Sequence, residues 1–83
     1  MHNSTNKYFA YRIGIKWATV KMDTQIVNSY IVPDPASARI KYTDHIERAT
    51  IWSSKTEAKH WKNRIKAKYP LAELVELGLT PLN

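Results

Sequence analysis

The sequence predicts an α+β fold, a small antiparallel sheet of three or four strands packed against one main helix in two layers. Three observations predict it. The first half of the chain alternates apolar and polar residues with a period of two, rich in β-branched and aromatic side chains. A capped, amphipathic pattern then runs from Ser54 to Tyr69. Finally, 83 residues of which 43% are hydrophobic and 11% aromatic suffice for one core and leave no room for a second. The chain 1–83 is therefore read as a single domain, with 1–7 and 80–83 as flexible ends.

The first strand is centred on Tyr11 to Thr19, with Tyr11, Ile13, Ile15 and Trp17 on one side and Arg12, Gly14, Lys16 and Ala18 on the other. It extends at most from Tyr8 to Met22, and Gly14 within it predicts a bulge or a close backbone approach. Met22 to Gln25 supplies turn chemistry through Asp23 and Thr24. Gln25 to Val32 reads as the returning strand, apolar on both faces and so without a fixed register. Pro33-Asp34-Pro35 stops it, because proline lacks a ladder donor. Ala38 to Thr43 is a third short strand, Asp44 to Ala49 a turn or single helical coil, and Ile51-Trp52 a brief apolar step.

Ser54 then caps a helix, and Glu57 three residues later completes a capping box. Ala58, Trp61, Ile65 and Tyr69 form its buried stripe, and Pro70 ends it. Leu71 to Leu79 fits a short helix or a last strand; the strand is preferred, because a small sheet gains from another partner. Trp17, Trp52 and Trp61, from three elements, are expected to meet in the core.

Several chemistries are excluded or disfavoured. Without cysteine there is no disulfide scaffold, thiolate zinc site or cysteine nucleophile. Two glycines cannot build a phosphate-cradling loop. Glu57 and His60 stand at i, i+3, half of a di-iron carboxylate motif whose other half is missing. Asp44, His45 and Glu47 share a turn but lack a nucleophile, and Ser53 and Ser54 read as helix-capping residues. His2 stands alone. No cofactor, metal site or catalytic group is expected, and the protein is read as a non-enzyme. No apolar run reaches the ~20 residues of a membrane-spanning helix. The polar start, Met1 to Asn6, lacks a signal-peptide core, so a cytoplasmic protein is expected.

The informative signal is charge. Thirteen Lys and Arg against seven Asp and Glu give +6. Six of those cations, with one anion, fall between Lys55 and Tyr69. Lys55, Lys59, Lys62 and Lys66 recur at i, i+4, i+7 and i+11 opposite Trp61, where like charges repel by a few tenths of a kcal/mol per pair. A polyanion lying along that row would relieve the repulsion and release counterions. These four are the candidate nucleic-acid contacts. Arg12, Lys16 and Arg39, with Lys41, form a second basic area expected on the open side of the sheet, interleaved with Tyr8, Tyr30 and Tyr42 as stacking platforms.

The stretch Tyr42-Thr43-Asp44 followed by Arg48 to Ala58 and closing at Trp61 resembles a pattern in small proteins of phages and mobile elements of Gram-positive bacteria. There a threonine–aspartate turn leads to a Ser-Lys-x-Glu-Ala-x-x-Trp helix start. A related start occurs in the arm-binding domains of phage-type integrases, three-stranded sheets that dock in the major groove. Small, motif-poor phage proteins also include anti-CRISPR and other host-defence inhibitors. The resemblance implies a non-enzymatic phage protein that occludes a nucleic acid or a nucleoprotein complex such as a host-defence nuclease in the host cytoplasm. The basic charge argues against DNA mimicry. Two alternatives are a sheet-based DNA-binding module and a protein–protein adaptor or virion component.

Overall fold

The computed structural model describes residues 6–79. Among them, two strands form an antiparallel hairpin, β1 (Asn6–Ile13) and β2 (Lys16–Lys21). A second hairpin, β3 (Thr24–Val27) and β4 (Tyr30–Pro33), makes a separate two-stranded ribbon. The chain continues through a 3₁₀ turn at Pro35–Ser37, β5 (Arg39–Thr43), a 3₁₀ turn at Ile46–Arg48, and helices α1 (Lys55–His60) and α2 (Lys62–Lys68). It closes with β6 (Glu73–Leu79), so the main sheet has the order β5-β2-β1-β6. Asn6 and Lys7, assigned above to a flexible end, belong to β1 and pair with Leu79 and Gly78. Residues 1–5 and 80–83 lie outside the described part.

The expected first strand is in fact a hairpin. Gly14 and Ile15 form a two-residue turn, with Gly14 at φ +64°. Only glycine adopts that conformation without the Cβ penalty, and a glycine first in a two-residue loop matches the twist of the flanking strands. The turn reverses the parity of the pattern. Arg12 pairs with Trp17 and Ile13 with Lys16, so the core-facing positions are odd on β1 and even on β2. Ala18 is fully buried, while Trp17 sits on the opposite face, outside the core cluster. The expected returning strand, Gln25–Val32, is likewise a hairpin in itself. Asn28 (φ 51°) and Ser29 (φ 70°) make its turn with the paired positive φ of type I′, so the ribbon pairs with itself and not with β2.

β1 and β2 pair only near their turn and then diverge. Thr50–Trp52 fills the opening. The Thr50 amide donates to Ala18 O (3.2 Å), and the Thr50 Oγ1 accepts from the Val20 amide (2.7 Å). Trp52 exchanges two bonds with Phe9, Trp52 N to Phe9 O at 2.9 Å and Phe9 N to Trp52 O at 2.8 Å. A threonine hydroxyl thus stands in for a strand partner and satisfies the Val20 amide where the two strands part.

The Ser54 cap forms: its Oγ accepts from the Glu57 amide at 3.2 Å. The reciprocal bond of a capping box does not. In place of one main helix there are two short ones, because the Trp61 amide turns back to Ala58 O (3.1 Å) in a 3₁₀-type contact that interrupts the ladder. Ala58 and Ile65, on either side of the break, are both fully buried. They join Phe9, Tyr11, Ala18, Ile40, Trp52 and Ala72, with Trp61, Tyr69, Ile13, Val20 and Leu74 packed around them. Trp52 and Trp61 therefore reach the core as expected and Trp17 does not. The preferred last strand is present as β6, paired with β1 from Asn6↔Leu79 to Arg12↔Glu73. No helix of the described residues is long and apolar enough to cross a membrane.

Candidate nucleic-acid interface

The helices position the cations. Lys59, Lys62 and Lys66 line one groove of about 400 Å³ between the helices and the start of β6, with Tyr11, Glu73 and Leu74 among its other walls. Lys55, at the head of α1, lies outside that groove. Lys59 and Lys62 are exposed, and neither pairs with a carboxylate among the described residues. The half-buried Lys66 Nζ donates to Ala72 O at 2.8 Å. Glu73, the one acidic wall, is engaged by Arg12 at 2.6 Å. Positive potential is therefore uncompensated where Lys59 and Lys62 emerge.

None of the six cations between Lys55 and Tyr69 makes an ion pair among the described residues. Half of them serve the fold through backbone carbonyls. Besides Lys66, Arg64 Nη1 donates to Pro35 O (2.7 Å) with its guanidinium 4.9 Å from the Trp61 ring centroid, and Lys68 Nζ donates to Ile40 O. These bonds pin α2 to the 3₁₀ turn, β5 and the approach to β6. The row of four is thus two free lysines in a groove, one tethered beside them, and Lys55 apart.

The strand cations separate. Arg12 and Arg39 share the face that carries Trp17, whereas Lys16, opposite Ile13, lies on the core-facing side. The parity reversal at Gly14 is the reason, and it corrects the expectation of one basic area holding all three. Each is also paired: Arg12 with Glu73, Lys16 with Asp44 at 3.6 Å and Arg39 with Asp23 at 3.3 Å. Lys16 further lies 4.4 Å from the Tyr42 ring centroid. Tyr42 meets Tyr69 edge-on, Tyr30 is exposed on the ribbon, and Tyr8 is half-buried.

A basic groove on the Trp17 face holds Arg39 and Lys41 of that expected area, together with Lys21 and Arg48, which sequence reasoning did not include. Lys21, Arg39, Lys41 and Arg48 surround about 270 Å³ together with Thr19 and Thr43. Lys21, Lys41 and Arg48 make no side-chain hydrogen bond or ion pair among the described residues. Thr19-x-Lys21 and Arg39-x-Lys41-x-Thr43 do share a face by period two, so the pattern was present in the sequence. The strand register and the position of Arg48 were needed to assemble it.

The remaining chemistry is structural. Asp34 Oδ1 accepts from the Ala36 amide (3.1 Å) and caps the first 3₁₀ turn. His45 lies 3.5 Å from Glu47, and no group of three or more His, Asp or Glu among the described residues is placed to hold a metal ion. His2 is outside the described residues. Glu57 and His60 instead line a groove of about 450 Å³ with Met22, Pro33, Trp61 and Arg64. Comparison with known proteins gives no further guide, since no family model, curated protein or solved structure matches the chain.

Proposed function

We propose that the protein is a non-enzymatic binding module for a polyanion, nucleic acid or a nucleoprotein complex, acting by stoichiometric occlusion. The observation that carries this reading is the set of helix cations without carboxylate partners, two of them open to solvent in a concave groove. Such an arrangement is unfavourable in the free protein and is relieved by phosphates that displace condensed counterions. The Ser54-Lys55-Thr56-Glu57-Ala58 helix start, by its resemblance to phage proteins, supports the narrower reading of a host-defence nuclease inhibitor that works in the host cytoplasm. Contact with guide RNA, with bound DNA or with an acidic patch of the nuclease suits its basic charge.

The test is a titration of labelled mixed-sequence DNA and RNA, alone and with a defence nuclease, over about 50–200 mM salt. Affinity should fall steeply with salt, and Lys59→Glu with Lys62→Glu should weaken binding at least about tenfold. An affinity flat in salt, or a double variant that binds normally, overturns the phosphate mechanism.

A second reading, a protein–protein adaptor or virion component, is favoured by the ribbon. Ile26 and Ile31 are both 75% exposed there, facing each other across the strands. A stable oligomer in sedimentation, indifferent to nucleic acid, would put that reading first.

A further inference from the structure

We infer that the Trp17 face of the sheet, between β2 and β5, is a second phosphate site, built for the backbone of a single-stranded nucleic acid. The inference rests on the polyanion reading above but on different residues. Lys21 and Arg39 are directly opposite each other across the two strands, and Lys41 follows two positions along on the same face. Like charges directly opposite destabilise a sheet. Arg48, from the 3₁₀ turn at Ile46–Arg48, brings a fourth cation to the same groove. Asp23 neutralises only Arg39. The other three cations have no carboxylate partner among the described residues, and a bound anion would supply one.

The neighbouring groups suit a phosphodiester. Thr19 and Thr43 line the groove on the face shared with Lys21 and Lys41, and the Thr43 Oγ1, which accepts from the His45 amide at 3.1 Å, still has its proton to donate. Trp17 pairs with Thr43 and so stands beside it on that face, half-buried and outside the core, where a base next to the bound phosphate can stack. The groove, at about 270 Å³, is below the size that encloses a drug-sized ligand. It fits one phosphate with its sugar. An aromatic surface beside a row of cations is the arrangement that binds unpaired bases, which a duplex keeps stacked inside. The groove lies towards the β5 edge of the sheet and the Lys59–Lys62 groove at the β6 edge, so the two sites are separable by mutation.

The experiment titrates the full chain into a labelled mixed-sequence single strand across salt, with unlabelled duplex as competitor. The variants are Lys41→Glu with Arg48→Glu, the neutral pair Lys41→Gln with Arg48→Gln, and the helix-groove pair above. Losing two contacts should lower affinity at least about tenfold and make the salt slope shallower by about 1.4, at roughly 0.7 per phosphate on a single strand. The neutral pair, exposed on the surface, should show the same slope change with unaltered circular dichroism. Backbone amide shifts of Lys41, Thr43 and Arg48 should move in the unmodified protein on adding the single strand. If both sheet pairs bind like the parent while the helix-groove pair weakens, this site is refuted and the proposed function stands. If the parent binds no free nucleic acid, this site falls, and the proposed function falls with it only if the defence nuclease complex is not bound either. Duplex that competes better than single strand refutes the single-strand assignment.

Discussion

Tyr11 ties the two halves of the fold together through one atom. Its ring is buried edge-on against Trp52, with centroids 5.7 Å apart, and its hydroxyl donates to Ala58 O at 2.6 Å. Tyr11→Phe keeps the ring and removes the donor. Ala58 O still accepts from the Trp61 amide, so the cost should be about 1 kcal/mol, seen as a lower denaturation midpoint at unchanged slope. Burial raises the phenol above its ordinary 10.0. An unfolded chain then releases this proton first, so stability falls as pH climbs from 10 towards the folded value and is unaffected below it. Unfolding curves of both proteins across that range should show the parent's advantage shrinking. Tyr11, Ala58 and Ile65 were legible as core positions because each follows a local period, and Trp52 by its bulk alone. Trp17, expected in the core, lies on the other face because Gly14 makes a hairpin turn in place of the expected bulge or close backbone approach within one strand.

Turns decide the elements. Gly14→Ala has no atom within 4 Å of the added Cβ, so its cost is purely that of a left-handed backbone, about 1 kcal/mol, measurable by thermal unfolding. Gly14→Asn should cost less. At the ribbon tip Ser29 holds φ 70° without being glycine. Ser29→Gly should favour the type I′ turn by about 0.5 kcal/mol. The gain should appear in hydrogen exchange of the ribbon amides, since this exposed hairpin can open without the core. The Ser54 cap was legible because its partner is three residues away. The two turns were not, since a two-residue loop leaves the apolar alternation unbroken in sequence while exchanging its faces in space. Choosing strand over helix for Glu73–Leu79 depended on β1, more than sixty residues distant.

For the molecule as a whole, the excess of charge on residues 55–69 was visible in composition. What each cation meets was not. Glu73 reaches Arg12, and Pro35 O reaches Arg64, only after the chain has closed on itself. The groove of Lys21, Lys41 and Arg48 needs a strand register and a crossing turn together. That same closure sets Asn6 directly across from Leu79, the first described residue beside the last. Joining them through a short loop and cutting between Asn28 and Ser29 should yield a circular permutant with the native fold. In it β1 and β6 become a local hairpin while β3–β4 and β2–β5 become distant pairings, so contact order is nearly conserved and stopped-flow refolding should keep about the parent's rate.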